Sequence, residues 1–553
     1  MVEPSMDLEP RTEESRRARW DGEGEVQEDG VPRLSTGIHR LDSILCGGFL
    51  RGGIYSVMGP PGSGKTLLGN QLCFHHASTG GRAIYVTLLA ESHARMLLHI
   101  RPMSFFAPDR VGTSIQFVNA FSVLEQQGLD GLQDLLRRFI RESKATLAVI
   151  DGTQAVEAHA EKPLGFQKFL RELQAFTGLL DCTVLLLTPT SPSRTQAENT
   201  MVDGVLELSH SLLGPRAVRE LTVHKFRGSE SLAGRHEMEI GRDGMIIHPR
   251  TEVQFNRPPS RAGEQRIRMP FGIPELDEMT HGGIVSGSTT MVLGPPGVGK
   301  TILGLQFLAH GASQGQPGVY FGFFETPPRL LEKARDVGID LESYCQEGLI
   351  EVQWQPPLEH YVDELAERLL ERIRERKVER LRVFIDGFAG FKSALFYPER
   401  LPRFFAALTH ELRNLDVTTI FAEEADLFRT EIKLPDEDLA AVVENILVLR
   451  NVEVRSQLHR ILSIRKMRES DYDAAAREFH ITSRGIEVAP SFESAEAILS
   501  GQEVRATRGR ERGRQASPAR SRTRKGSRES ASVRKVTKGG RKGPTRGVAG
   551  RRS

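Results

Sequence analysis

Cysteine is scarce in this 553-residue chain: Cys46, Cys73, Cys182 and Cys345 are scattered, and none forms a C-x-x-C pair. A disulfide framework is therefore not expected, and the thiols read as reduced and mostly buried, in a cytoplasmic setting. No apolar run approaches the roughly 20 residues a membrane-spanning helix needs. The first 32 residues carry 10 acidic and 4 basic side chains and lack the apolar core of a signal peptide. These absences point to a cytoplasmic protein with no membrane partner. Aromatic residues are absent from 501–553, a stretch with 18 Lys/Arg against 3 Asp/Glu. The overall charge of +2 thus conceals an acidic remainder. The two ends, 1–32 and 501–553, are expected to be disordered tails, since neither can bury a core. The basic tail suits non-specific contact with nucleic acid or another polyanion. Without aromatic side chains it has no platform on which bases could stack.

What is present is a duplication. Gly59-Pro60-Pro61-Gly62-Ser63-Gly64-Lys65-Thr66 and Gly294-Pro295-Pro296-Gly297-Val298-Gly299-Lys300-Thr301 both fit G-x-x-x-x-G-K-T and stand 235 residues apart. Gly37-Ile38-His39-Arg40-Leu41-Asp42 and Gly272-Ile273-Pro274-Glu275-Leu276-Asp277 share that offset, as do Asp151 and Asp386. The expected organisation is a first nucleotide-binding domain at 33–252, a linker at 253–266 and a second domain at 267–500. Short apolar runs (Gly53–Met58, Ala83–Leu88, Leu147–Ile150 and Thr183–Leu187 in the first repeat) alternate with helical patterns such as Leu132–Glu142 and Tyr361–Lys377. The fold class is α/β: in each repeat a mainly parallel twisted sheet flanked by helices, with antiparallel strands added after Met201 and Leu439.

Glycine-rich turns let backbone N–H groups converge on phosphate oxygens, and the helix that follows adds its positive end. ATP is the expected ligand, with Lys65 and Lys300 reaching the β- and γ-phosphates. Mg²⁺ is the expected metal, held by Thr66 with Asp151 and by Thr301 with Asp386. A carboxylate just past the next strand could orient an attacking water. The second repeat offers Glu325; the first offers Glu91, one position out of register. Lys225 and Arg227, in Lys225-Phe226-Arg227-Gly228-Ser229, parallel Lys466 and Arg468, in Lys466-Met467-Arg468-Glu469-Ser470. Cations two apart on a strand share a face, which suits delivery into a neighbouring subunit's ATP site.

Taken together, these motifs resemble the RecA-type ATPases, and among them the KaiC family of duplicated ATPases, over roughly 33–500. The segments Gly234-Arg235-His236-Glu237-Met238-Glu239-Ile240 and Ala476-Arg477-Glu478-Phe479-His480-Ile481 extend the likeness. The resemblance implies two tandem RecA-like domains and ATP-dependent hexamers with nucleotide between subunits. It also implies that Lys225/Arg227 and Lys466/Arg468 act in trans, and that the output is a signalling or regulatory one. Two departures stand out. Where the family carries adjacent glutamates, this chain has Phe324-Glu325 and Leu89-Ala90 followed by Glu91. Where clock members phosphorylate a Ser-Thr pair, it has Ala440-Ala441, with Thr430 the nearest upstream hydroxyl. Serine/threonine autokinase activity is thereby disfavoured. A RecA-type DNA-dependent ATPase and a non-catalytic nucleotide-binding scaffold remain as alternatives.

Overall fold

The computed structural model describes residues 31–88, 93–160, 163–189, 201–255, 267–356, 359–376, 380–425, 437–454, 456–468 and 470–500. Glu91, Thr430 and the tails at 1–30 and 501–553 lie outside them.

Besides a short antiparallel pair, Arg33–Leu34 with Phe49–Leu50, the described residues of the first half contain nine strands: β1 (Ile54–Met58), β2 (Ala83–Thr87), β3 (Ile115–Asn119), β4 (Leu147–Asp151), β5 (Thr183–Thr188), β6 (Gly204–Leu213), β7 (Arg216–Phe226), β8 (Arg235–Gly241) and β9 (Gly244–His248). They form one sheet in the order β3-β2-β4-β5-β1-β6-β7-β8-β9. Pairing is parallel from β3 to β6 and antiparallel from β6 to β9.

The second half repeats this plan with β10 (Thr289–Gly294), β11 (Gly318–Gly322), β12 (Ile350–Trp354), β13 (Leu381–Asp386), β14 (Val417–Glu424), β15 (Asn445–Val454), β16 (Gln457–Met467), β17 (Arg477–Thr482) and β18 (Gly485–Val488). Its order, β12-β11-β13-β14-β10-β15-β16-β17-β18, is that of the first sheet. The expected antiparallel extension is present in both halves. Strands β3 and β12, not anticipated from the sequence, are edge strands. Each pairs on one side only and, after its first residue, is half-buried or exposed.

The central strands are unbroken apolar runs because both faces of the sheet are covered. In β4, Leu147 and Val149 join one hydrophobic core, and Ala148 and Ile150 join the other. That is the two-residue alternation of a strand shared between two layers of helices. Helix Lys65–Ser78 packs on one face, while Phe121–Ser143 and Pro163–Leu179 cover the other. Cys73 and Cys182 are buried, whereas Cys46 and Cys345 are only half-buried, and all four are free thiols. Among the described residues no helix is long and apolar enough to cross a membrane.

The halves are fastened by charge. Arg400 donates to Glu252 (2.7 and 2.8 Å), to Asp363 (2.9 and 3.0 Å) and to Glu237 (3.4 Å). Thr251, at the start of helix Thr251–Gln254, donates its amide and its hydroxyl to Asp363, at 2.9 and 2.8 Å. His248 bridges Glu239 of the first half (3.1 Å) and Glu367 of the second (3.0 Å).

Candidate functional site

Each phosphate loop leaves the C-terminal end of its central strand, β1 or β10, and opens a helix, Lys65–Ser78 or Lys300–Ser313. Parallel sheets collect ligands at this end, because helix N-termini converge there. The loop geometry depends on glycine. Gly64 and Gly299, the residues before each helix, have φ of 102° and 118°, which a side chain rarely adopts. A Cβ at Gly59 would meet the carbonyl oxygen of Leu208 at 2.4 Å, and one at Gly294 that of Leu449 at 2.8 Å.

Behind each loop the strand-end aspartate meets the loop threonine. Thr66 donates to Asp151 at 2.9 Å, and Thr301 donates to Asp386 at 2.9 Å. Tyr85 and Tyr320 donate to the same carboxylate oxygens, at 2.7 and 3.0 Å. Sequence reasoning missed these tyrosines, although they too stand 235 apart. Burial raises the carboxyl of Asp386 above its ordinary range, against the pull of the Thr301 and Tyr320 hydrogen bonds. Lys65 donates to the loop carbonyls of Gly59 (2.6 Å) and Pro60 (2.8 Å), and Lys300 to those of Gly294 (2.8 Å) and Pro295 (3.0 Å). Burial lowers both ammonium groups from the usual lysine range, and nearby carboxylates oppose the shift.

In the first half these groups border a cavity of about 440 Å³ whose lining includes Gly62, Lys65, Thr66, Asp151 and Gln154. The residues fit Mg²⁺-bound triphosphate: a glycine cradle, a lysine, and a hydroxyl–carboxylate pair able to hold the cation. The second site also has carboxylate oxygens that are buried without a partner, Glu325 Oε2 and Glu423 Oε2.

The two halves differ around this shared centre. Glu325 lies just past β11 and is ion-paired with Lys333 on helix Pro327–Asp336. Glu423 and Glu424 end β14, beside the loop strand, where the first half has Thr188 and Pro189. Glu423 accepts from Lys392 at 2.6 Å, and burial raises its carboxyl above the usual range. Glu325 was anticipated; Glu423 and Glu424 were not, because a strand end carries no mark of which loop lies beside it.

The late cation pairs occupy equivalent positions. Lys225 donates to the carbonyl of Val202 at 2.6 Å. Lys466 donates to those of Ala440 and Val443, at 2.6 Å each, and Arg468 to that of Ala441 at 2.5 Å. Simple strand alternation is modified here. A register shift falls between Val205 and Leu206 opposite β7, and between Ile446 and Leu447 opposite β16. Both bulges lie next to the lysine, as bulges near functional sites commonly do to re-aim a side chain. Arg227 and Arg468 lie just past their strand ends.

A sequence-family model described as KaiC ATPase matches residues 34–252 and 269–493. The chain is 26% identical over 492 residues to the circadian clock oscillator protein KaiC of Parathermosynechococcus lividus, an alignment covering 86% of this chain and 89% of that protein. It is 26% identical over 496 residues to circadian clock oscillator protein KaiC 1 of a Synechocystis species (87% and 93%). To the circadian clock oscillator protein KaiC of a Nostoc species it is 26% identical over 489 residues (86% and 93%).

Proposed function

The chain belongs to the KaiC family of ATPases, and from that premise we propose that it binds and hydrolyses ATP at two sites per chain, in an ATP-dependent oligomer, a hexamer, with a regulatory or signalling output. The observation that carries the reading is the repeated Thr–Asp pairing, at 2.9 Å behind each phosphate loop. The duplicated domains are taken as 33–252 and 267–500, joined by 253–266.

Bound ATP with Mg²⁺ supplies the transferable phosphoryl group and the cation that offsets its charge. The chain supplies the rest. The backbone N–H groups of 62–65 and 297–300 bind the phosphates (the preceding prolines have none to offer), with Lys65 and Lys300 beside them. Thr66 and Asp151, and Thr301 and Asp386, hold the cation. Glu325 orients water in the second site, with Glu91 as the first-repeat counterpart. Lys225 with Arg227, and Lys466 with Arg468, complete the site of the adjoining subunit. The printed names of the relatives support a regulatory output. Ala440-Ala441, lacking hydroxyls, argues against clock-type autophosphorylation at that position.

Steady-state phosphate release decides the enzymatic part. Wild type is expected to turn over slowly, and K300A to lose the larger share of activity. Equal rates in wild type, K65A, K300A and E325Q would overturn the reading. Mass photometry with and without ATP and Mg²⁺ decides the assembly: a particle that stays monomeric with both would remove the inter-subunit site.

A further inference from the structure

The first half holds a second cavity, of about 580 Å³, at the N-terminal ends of β2 and β4. Its strands run parallel, so this is the end of the sheet away from the phosphate loop. The 14-residue helix Lys65–Ser78 starts at that loop and ends at this cavity, a separation of about 20 Å at 1.5 Å per residue. The lining includes Arg33, Arg51, Arg82, Lys144, His76 and Thr146.

Charge dominates this lining. Arg51, Arg82 and Lys144 are exposed to solvent at its surface. Arg33 is engaged with the carbonyl of Gly48 and the hydroxyl of Ser229. Arg51 is ion-paired with Asp181 at 3.7 Å. His76, within the cavity wall, holds Thr146 at 2.7 Å. Burial and the Arg51 charge push its imidazole down to about 4, so it adds no charge of its own at neutral pH.

A helix C-terminus would ordinarily repel an anion. Here its carbonyls are occupied: that of His75 by the Thr79 amide, that of His76 by the Gly81 amide and the Thr79 hydroxyl, and that of Ala77 by the Gly80 amide and Arg110.

The second half is a control built into the chain. At the same offset, Arg51, Arg82 and Lys144 become Ser286, Pro317 and Glu379. His76 becomes Gly311, and the place of Leu147 is taken by Arg382. The guanidinium of Arg382 is turned inward, donating to the carbonyls of Pro270 (2.7 Å) and Phe307 (2.9 Å) and to Gln316 (3.0 Å). The second half keeps Arg33 as Arg268, but the duplicated fold does not require the three exposed cations Arg51, Arg82 and Lys144.

We propose that this cavity is a second anion site of the first half, taking a small molecule that carries two or more phosphate charges. Guanidinium forks match phosphate oxygens in pairs. The volume falls in the range of small-molecule sites, roughly 300–1,000 Å³, rather than that of a lone counterion. The site is separate from both phosphate loops and does not rest on the ATPase reading.

The test uses the full chain with both loops saturated by a non-hydrolysable ATP analogue and Mg²⁺, titrated calorimetrically with inorganic pyrophosphate. The expected result is about one further site per chain, weakened at least about tenfold by R82E/K144E and unchanged by K168E, at an exposed position of helix Pro163–Leu179. If the double reversal lowers the melting temperature, R82A and K144A are measured singly. No heat with the loops filled, or equal affinity in the variants, overturns the proposal. So does binding that emerges only after Glu23, Glu25, Glu28 and Asp29 are changed to glutamine. That outcome would assign the cavity to the chain's own acidic segment.

Discussion

In the second half the ammonium of Lys333 is ion-paired with the carboxylate of Glu325. The other oxygen of that carboxylate is buried without a partner. The first half has Leu98 at the matching position, so the restraint belongs to one repeat. A carboxylate oxygen held by an ammonium is less free to accept a hydrogen bond from water. The variant K333M is therefore expected to raise ATP turnover, by about threefold, and E325Q to lower it by about 10²-fold. Single-turnover phosphate release checks both. A K333M rate below wild type would mean that the lysine serves the reaction instead of restraining the base.

Lys466 and Arg468 hold three carbonyls at the end of helix Glu437–Val442 and just after it. If these cations complete a neighbour's site, K466A/R468A should bind nucleotide normally and still assemble. Its turnover should fall by roughly 10³-fold, the lower end of what such cations supply. Equilibrium binding of a fluorescent ATP analogue alongside phosphate release separates these effects. Lost binding with unchanged kcat would assign the pair to the local fold.

Arg400 stands among three carboxylates, Glu237, Asp363 and Glu252, all less than a tenth exposed. Burial, with Asp363 nearby, raises the carboxyl of Glu237 well above its usual range despite Arg400. Removing Arg400, the cation that meets all three, leaves like charges facing each other across the join of the two halves, with Arg250 still beside Glu252. R400M is expected to cost about 3–5 kcal/mol. Urea denaturation, read for both midpoint and number of transitions, checks it. A loss under about 1 kcal/mol would show that the cluster is neutralised by protonation instead.

His248 gives a pH signature. Burial disfavours its charged form, but Glu239 and Glu367 outweigh that and push the imidazole up to about 10. A group whose folded pKa is raised adds stability that is complete below its unfolded pKa, about 6.5, and lost as pH rises through the folded value. H248Q should therefore be less stable than wild type by about 3 kcal/mol at pH 6. The gap should close as pH approaches about 10. Melting temperatures of both proteins between pH 6 and pH 10.5 test this. A gap independent of pH would mean that the ring contributes by packing alone.

The loops, the strand-end aspartates and the tyrosines beneath them all repeat at 235, because all lie on the strands and helix that carry the phosphate site. Later in the chain the offset lengthens: Leu208 pairs in role with Leu449, and Lys225 with Lys466. The second half carries five more residues between its central loop strand's neighbours, β14 and β15, than the first does between β5 and β6, and β14 itself runs one residue further. A constant offset therefore does not bring the two cation pairs together; their motif does. Edge strands β3 and β12 escaped the pattern because a strand buried on one side lacks the continuous apolar run of a central one.

Residue order alone determined that this chain is a duplicated phosphate-loop protein, since glycine, lysine, threonine and a strand-end aspartate act through local backbone geometry that spacing records. It also determined that no hydroxyl occupies Ala440-Ala441. Only the tertiary structure decided that Lys333 meets Glu325, that Glu423 flanks one loop and Thr188 the other, and that Arg51, Arg82 and Lys144 share a cavity. Those relations join residues far apart in the chain or in different elements. Their energies depend on burial and on which charges face each other, and neither is written in the order of residues.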